Sequence, residues 1–294
     1  MVKNSTGNFD GVSRRKMIGQ SAALALAVQC APLFAARDSR RFRIGACDWS
    51  LGKMCDPSSF DLAQRIGLDG VQVSLGTVGN GMRVCRTEVQ REYKDAAKAS
   101  GLQVSSLAIG ELNEVPYKSD PRTVDWVLES IDVCKAFDIR VVLLAFFGNG
   151  DLRGDKAGVD EVVRRLKGAA PKAEKAGVIL GIESWLGAPQ LMDILERVGS
   201  PAVQVYYDLC NTTDMGYDIC REIRALGSRI CEFHAKENGK LLGHGNIDFH
   251  KVRAAMDDID YHGWVQIEGA LPPGQPLLES YQANCRFLRG ILKT

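Results

Sequence analysis

From Phe42 onward, short runs of β-branched and apolar residues alternate with longer stretches whose apolar positions recur every three or four residues. The first pattern suits a strand buried on both faces, the second an amphipathic helix. The first half of the alternation predicts strands over residues 43–48, 70–75, 103–109 and 140–146. The last of these is an unbroken apolar run after Arg140. Helices are predicted over 57–66, 87–100, 121–137 and 158–176. Four further strands run into a carboxylate or a histidine. They are VILGIE ending at Glu183, VQVYYD at Asp208, residues 229–233 leading to His234, and WVQIE at Glu268. Helices near 189–197, 217–226 and 249–257 separate or follow them, the last with Asp248 at its N-cap position. A helix over 277–292 closes the chain. Strands that alternate with helices imply a parallel sheet, and eight such units in about 250 residues imply closure. The fold class predicted is α/β, a single (β/α)8 TIM barrel over residues 42–294.

That architecture changes the meaning of the four polar strand ends. Glu183, Asp208, His234 and Glu268 follow one another at intervals of 25, 26 and 34 residues. In a barrel, the C-terminal ends of consecutive strands meet around one rim, so these side chains converge on one pocket. Three carboxylates and an imidazole make a hard, oxygen-rich, negatively charged set. It suits one divalent metal, Mn²⁺ first, with Mg²⁺, Co²⁺ or Zn²⁺ compatible by affinity. A structural zinc site would call for thiolates instead. Four protein ligands leave about two positions on an ion that prefers six. A hydroxy-ketone or hydroxy-aldehyde fills both, and the metal then stabilises the enediolate formed when the α-proton leaves. Glu183 and Glu268 stand on different strands and are the catalytic candidates for moving that proton. Bases on two faces permit epimerisation; transfer along one face gives aldose–ketose isomerisation. The same chemistry followed by loss of a β-leaving group would make a keto-sugar or keto-inositol lyase or dehydratase.

Composition narrows the partners. Hydrophobic residues make up 45% and charged residues 25%, as in ordinary globular proteins. A formal net charge of +1 argues against nucleic acid as a partner. Nine cysteines, an odd number with no C-x-x-C spacing, and four histidines indicate neither a disulfide framework nor a zinc finger. Ahead of the barrel, Ser13-Arg14-Arg15-Lys16 precedes an alanine-rich apolar run over 21–36. A charged start, an apolar middle and a small-residue end have the layout of an export signal, and the paired arginines resemble the twin-arginine type. Residues 1–36 are therefore expected to be a signal and a disordered N-terminus, with the twin-arginine export machinery as a partner and the bacterial periplasm as destination. Gln20, Gln29 and Pro32 make the run unsuitable as a membrane span.

Five segments carry a resemblance. GIES around Glu183, YYDLCN around Asp208, FHAKE around His234, LGHGNIDF at 242–249 and YHGWVQIEG around Glu268 occur in this order. Together they resemble the xylose-isomerase-like barrels, the sugar phosphate isomerase/epimerase superfamily, over about 42–294. The resemblance implies metal binding by Glu183, Asp208, His234 and Glu268, with the two glutamates as acid/base pair and a small sugar or keto-sugar as substrate. Lys236, Asn211 and His244 are candidates for substrate binding, as are Trp49 and Trp185, whose rings could stack on a sugar. Two positions depart from the ketose epimerases of that family. Asn211 stands where they carry a substrate-binding histidine, and Lys240 where they often present an arginine. The abasic-site endonucleases that share this barrel use many histidines, which this chain lacks. A non-catalytic sugar-binding barrel is disfavoured because all four ligand positions are kept. Phe146-Phe147 reads as core and rim packing, and His250 and His262 as surface residues. The oligomeric state is left open.

Overall fold

In the computed structural model, residues 1–2 and 41–293 are described. The export-signal reading rests on residues 13–36 and lies outside them. Eight parallel strands close on themselves in sequence order: β1 (Phe42–Cys47), β2 (Gly70–Ser74), β3 (Gln103–Ile109), β4 (Val141–Phe146), β5 (Ile179–Ser184), β6 (Val203–Asp208), β7 (Ile230–Ala235) and β8 (Gly263–Ile267). The ring is completed by β1 pairing with β8, Phe42 opposite Gly263 and Ala46 opposite Ile267. Around it lie α1 (Ser59–Ile66), α2 (Thr87–Ser100), α3 (Arg122–Phe137), α4 (Lys156–Ala176), α5 (Ala188–Val198), α6 (Leu209–Asp214), α7 (Ile219–Leu226), α8 (Phe249–Asp258) and α9 (Leu277–Leu292). The (β/α)8 barrel expected from the sequence is the fold observed.

The core has two parts because each strand is buried on both faces. The larger part lies between strands and helices and includes Phe42, Ile44, Val71, Phe60 and Tyr93. Burying each such side chain contributes roughly 1.5–3 kcal/mol. The smaller part lies inside the barrel: Ala108, Val141, Leu143, Ala145 and Tyr206. On the rest of the interior the residues are polar yet buried, among them Gln72, Ser106, Glu232 and Gln266. Helices return to strands through tight left-handed caps; the glycines after α1 and α4, Gly67 and Gly177, have φ of 91° and 67°.

Two differences from the sequence reading bear on the site. β7 runs to Ala235, two residues past the predicted end, so His234 lies within the sheet, opposite Asp208 on β6 and Gln266 on β8. A polar residue marks a strand end only when it must reach water; here the barrel interior accommodates it. The short helix α6 was not expected. It begins directly at Asp208, whose Oδ1 accepts the Asn211 amide at 2.7 Å.

Candidate metal centre

Each of the four strand-end residues is placed by its register. Asp208 and His234 are paired across β6 and β7, Glu183 lies near the end of β5, and Glu268 follows β8 directly. The Glu268 amide still donates to the Ala235 carbonyl at 3.0 Å, so the sheet holds it as firmly as a strand residue. One ligand atom from each of the four lies within 4.8 Å of the others. His234 Nδ1 stands 2.9 Å from Glu183 Oε1, 3.6 Å from Glu268 Oε2 and 3.7 Å from Asp208 Oδ2.

The donor set fits a cation. Ligands on opposite sides of one ion bound at about 2.0–2.6 Å stand about 4–5 Å apart. Asp208 Oδ2 is buried and has no hydrogen-bond partner among the described residues, although Oδ1 caps α6. A buried carboxylate oxygen left without a donor is costly unless something positive meets it. Electrostatics agree. Burial pushes the Asp208 carboxyl up from its ordinary range, opposed by Lys236 and reinforced by Glu183 and Glu268. Burial disfavours a charged His234, yet Cys47, Glu183 and Glu268 hold it well above the usual histidine range. The negative charge of the cluster thus favours a positive charge among its ligand atoms. Glu268 is held low: burial opposes its charge, but His234 and Lys236 outweigh burial.

The profile of the xylose isomerase-like TIM barrels matches residues 60–291. The chain belongs to the xylose isomerase-like TIM barrel family. A curated relative, the 2-epi-5-epi-valiolone 7-phosphate 2-epimerase of an Actinoplanes species, is 26% identical over 177 residues, which is 60% of this chain. The match spans 65% of that relative's length. The barrel is also similar to a solved D-psicose 3-epimerase from Clostridium cellulolyticum H10, with a TM-score of 0.74 at 19% identity, covering 85% of this chain and 99% of that one. The 3-keto-D-glucoside 4-epimerase of E. coli gives 0.71 at 15% identity, covering 85% and 99%. At these identities the two structures share the fold.

In this xylose isomerase-like barrel two of the four residues, Glu183 and Glu268, line a cavity of about 400 Å³, with Asp208 and His234 buried behind them. Trp49, Trp185, Asn211 and Lys236, all singled out from the sequence, line it together with Glu183 and Glu268. Trp49 donates its indole N–H to Glu268 Oε1 at 2.9 Å, so it orients a carboxylate besides offering a ring face. Lys236 donates to Glu268 Oε2 at 3.0 Å and stands 4.0 Å from Asp208 Oδ2. Burial works against a charged Lys236, but Glu268, Asp208 and Glu183 keep the ammonium firmly protonated. Trp185 packs edge-on against Phe147, ring centroids 5.0 Å apart, with the Arg153 guanidinium 4.3 Å from its ring centre.

The structure does not bring His244 into this cavity. It is exposed, and its backbone amide, with those of Gly243, Gly245 and Ile247, donates to the buried Glu237 carboxylate. That carboxylate gathers the glycine loop inward by its backbone and leaves the histidine side chain outside. Lys240 likewise lies in a separate small depression beside Asp214 and Asn238. Other lining residues were missed. Phe146 is core and Phe147 packs at the rim, as read, but Phe147 is also a cavity wall. Thr77, Glu111 and Asn113 come from the loops after β2 and β3, where the sequence offered no strand-end carboxylate to follow.

Proposed function

We propose that the protein is a divalent-metal-dependent carbohydrate epimerase or isomerase that moves a proton next to a carbonyl. The observation that carries this reading is the buried, donorless Asp208 Oδ2 set among Glu183, His234 and Glu268, of which the two glutamates line a cavity with aromatic walls. Glu183, Asp208, His234 and Glu268 would hold the ion, Mn²⁺ first by donor type. When bound, such an ion supplies charge stabilisation to the oxygens of an enediolate.

The chain's own residues do the rest. Glu183 and Glu268 face the substrate from β5 and β8, and either can take the α-proton while the other returns one. Lys236 and Trp49 fix both oxygens of Glu268, so this carboxylate enters the reaction already oriented. Trp49, Phe147 and Trp185 offer apolar faces to sugar C–H groups and exclude water. Asn113 accepts the Phe147 amide through Oδ1, which turns its NH₂ group into a donor for a substrate hydroxyl. Lys236 is the single lysine or arginine among the described residues lining the cavity, and it is already paired with Glu268. A phosphate dianion would find three lining glutamates and no unengaged cation. The substrate is therefore read as a free or glycosidic sugar, in keeping with the export expected from the Arg14-Arg15 segment.

Proton NMR in D₂O with the Mn²⁺-loaded and then the chelated protein tests this on a panel of neutral ketoses and keto-glycosides. Deuterium is expected at one carbon, only with metal. Glu183→Gln and Glu268→Gln should each lower turnover about 10²–10⁴-fold, the usual loss of a general base. Near-normal turnover in both would remove the glutamates from proton transfer. An unsaturated product in place of an epimer would move the reading to a lyase.

A further inference from the structure

Below the four ligand atoms, the barrel interior holds a chain of hydrogen bonds that the proposed chemistry does not use. His234 Nε2 points away from the cluster and lies 2.8 Å from Gln72 Oε1. The buried Cys47 thiol, its pKa pushed up to about 12 by burial, donates to the same oxygen at 3.1 Å. Gln72 Nε2 lies 3.1 Å from Ser106 Oγ and 3.0 Å from the Tyr206 hydroxyl. Ser106 donates onward to Glu232 Oε2 at 2.8 Å, and Tyr206 also hydrogen-bonds Glu232. All five residues from His234 to Glu232 are 2% exposed or less.

We infer that Gln72 is a positioning residue for the metal centre, which fixes the His234 imidazole so that Nδ1 faces the ion, and that Glu232 anchors Gln72 through Ser106 and Tyr206. The inference rests on the metal-binding reading of Glu183, Asp208, His234 and Glu268. Its logic is a count of donors and acceptors. An imidazole bound through Nδ1 carries its hydrogen on Nε2, so Gln72 must present an oxygen there. Its amide then must present NH₂ to Ser106 and Tyr206. Both hydroxyls accept from it and must send their own hydrogens elsewhere. Glu232 is the acceptor both reach. Every link has one direction, and the carboxylate at the far end sets it. Reversing the Gln72 amide would put NH₂ against both Nε2–H and the Cys47 thiol. The arrangement is paid for by burying the Glu232 carboxyl with only neutral donors bonded to it, a burden that packing alone would not require.

Two substitutions at residue 72 separate positioning from packing, with Mn²⁺ affinity read by titration calorimetry. Gln72→Met keeps length and flexibility but removes the acceptor; affinity should fall about 10–100-fold, as for the loss of an outer-shell partner. Gln72→Glu keeps an acceptor toward Nε2–H and should stay within about threefold of wild type or exceed it. A packing role predicts the reverse, since methionine fits an apolar core and a second buried carboxylate does not. In Zn²⁺-loaded, ¹⁵N-histidine-labelled protein, one imidazole N–H should be protected from exchange in wild type and Gln72→Glu and lost in Gln72→Met. Should Gln72→Met not fold, Ser106→Ala combined with Tyr206→Phe releases the amide and should lower affinity in the same direction. Unchanged affinity in Gln72→Met, or the reversed order of the two variants, overturns the inference while the metal reading stands. Wild-type protein that binds no divalent ion overturns both.

Discussion

Asp208 shows how one side chain can satisfy two descriptions. A carboxylate at the end of a strand and the start of a helix can be read as a cap or as a ligand, and its two oxygens divide the roles. Oδ1 accepts the Asn211 amide; Oδ2 faces the cluster without a donor. Asp208→Asn can keep the cap through its amide oxygen, so thermal stability should change little while Mn²⁺ affinity drops at least about tenfold. Asp208→Ala should lose the affinity and in addition about 1 kcal/mol of stability with the cap. Calorimetric titration beside thermal melts distinguishes the two. What the sequence made legible at this scale was residue type and interval, which located Glu183, Asp208, His234 and Glu268. It could not reveal direction. His244 and Phe147 stand beside polar and apolar neighbours alike, and only the path of the loops sends one to solvent and the other to the cavity.

Among elements, the segment after β7 owes its course to Glu237. Four backbone amides from residues 243–247 converge on this one carboxylate, and a Cβ at Gly245 would meet its Oε1. Glu237→Gln keeps the size but replaces one acceptor oxygen with a donor group aimed at other donors. Hydrogen bonds to a charged group contribute about 1.5–3 kcal/mol each, so a loss of roughly 2–3 kcal/mol is expected. Urea unfolding should report it, and amide exchange should rise first at residues 243–247. Helices such as α2 and α9 and the strands β3 and β6 were legible to the residue because their apolar spacing is unbroken. β7 and the start of α6 were not, because there a polar side chain turns inward or caps a helix, and local pattern reads both as a boundary.

For the whole molecule, closure of the sheet is what makes polar burial possible, and Asp48 lets it be read as a pH effect. This residue follows β1 and ties it to β2: Oδ2 accepts the Cys55 and Ser74 amides, and Oδ1 accepts the Ser74 hydroxyl at 2.6 Å. Burial pushes its carboxyl up to about 6, despite these hydrogen bonds, from an ordinary value of 3.8. A folded pKa above the unfolded one means the folded state holds its proton longer. The stability from this group is therefore complete below about pH 4 and declines as pH rises through 6. Two pH units of difference correspond to roughly 2–3 kcal/mol. Asp48→Asn can keep the Cys55 and Ser74 amides on its oxygen and donate its NH₂ group to the Ser74 hydroxyl, which reverses that one bond. The stability of the variant minus that of wild type should rise by about this amount between pH 4 and pH 7. A flat difference in urea titrations across that range would mean Asp48 titrates normally. The barrel itself was legible because eight strand–helix units leave few alternatives. Its polar floor was not, since Gln72, Glu232 and Gln266 look in sequence like any polar residue on a strand with one wet face.

The interior of the barrel is divided. The candidate ligands Glu183, Asp208, His234 and Glu268 lie on β5 to β7 and directly after β8, whereas β3 and β4 present Ala108, Leu143 and Ala145, small or aliphatic and bonded to nothing but their neighbours through the sheet. Chemistry and fit are thus written on opposite halves of one wall. A descendant of this gene could exchange alanine for a bulkier side chain on β3 or β4 and change which molecules enter, without disturbing a single ligand. Inheritance of the reaction and divergence of its clientele would then proceed independently, as a lock may be re-cut while its bolt is kept.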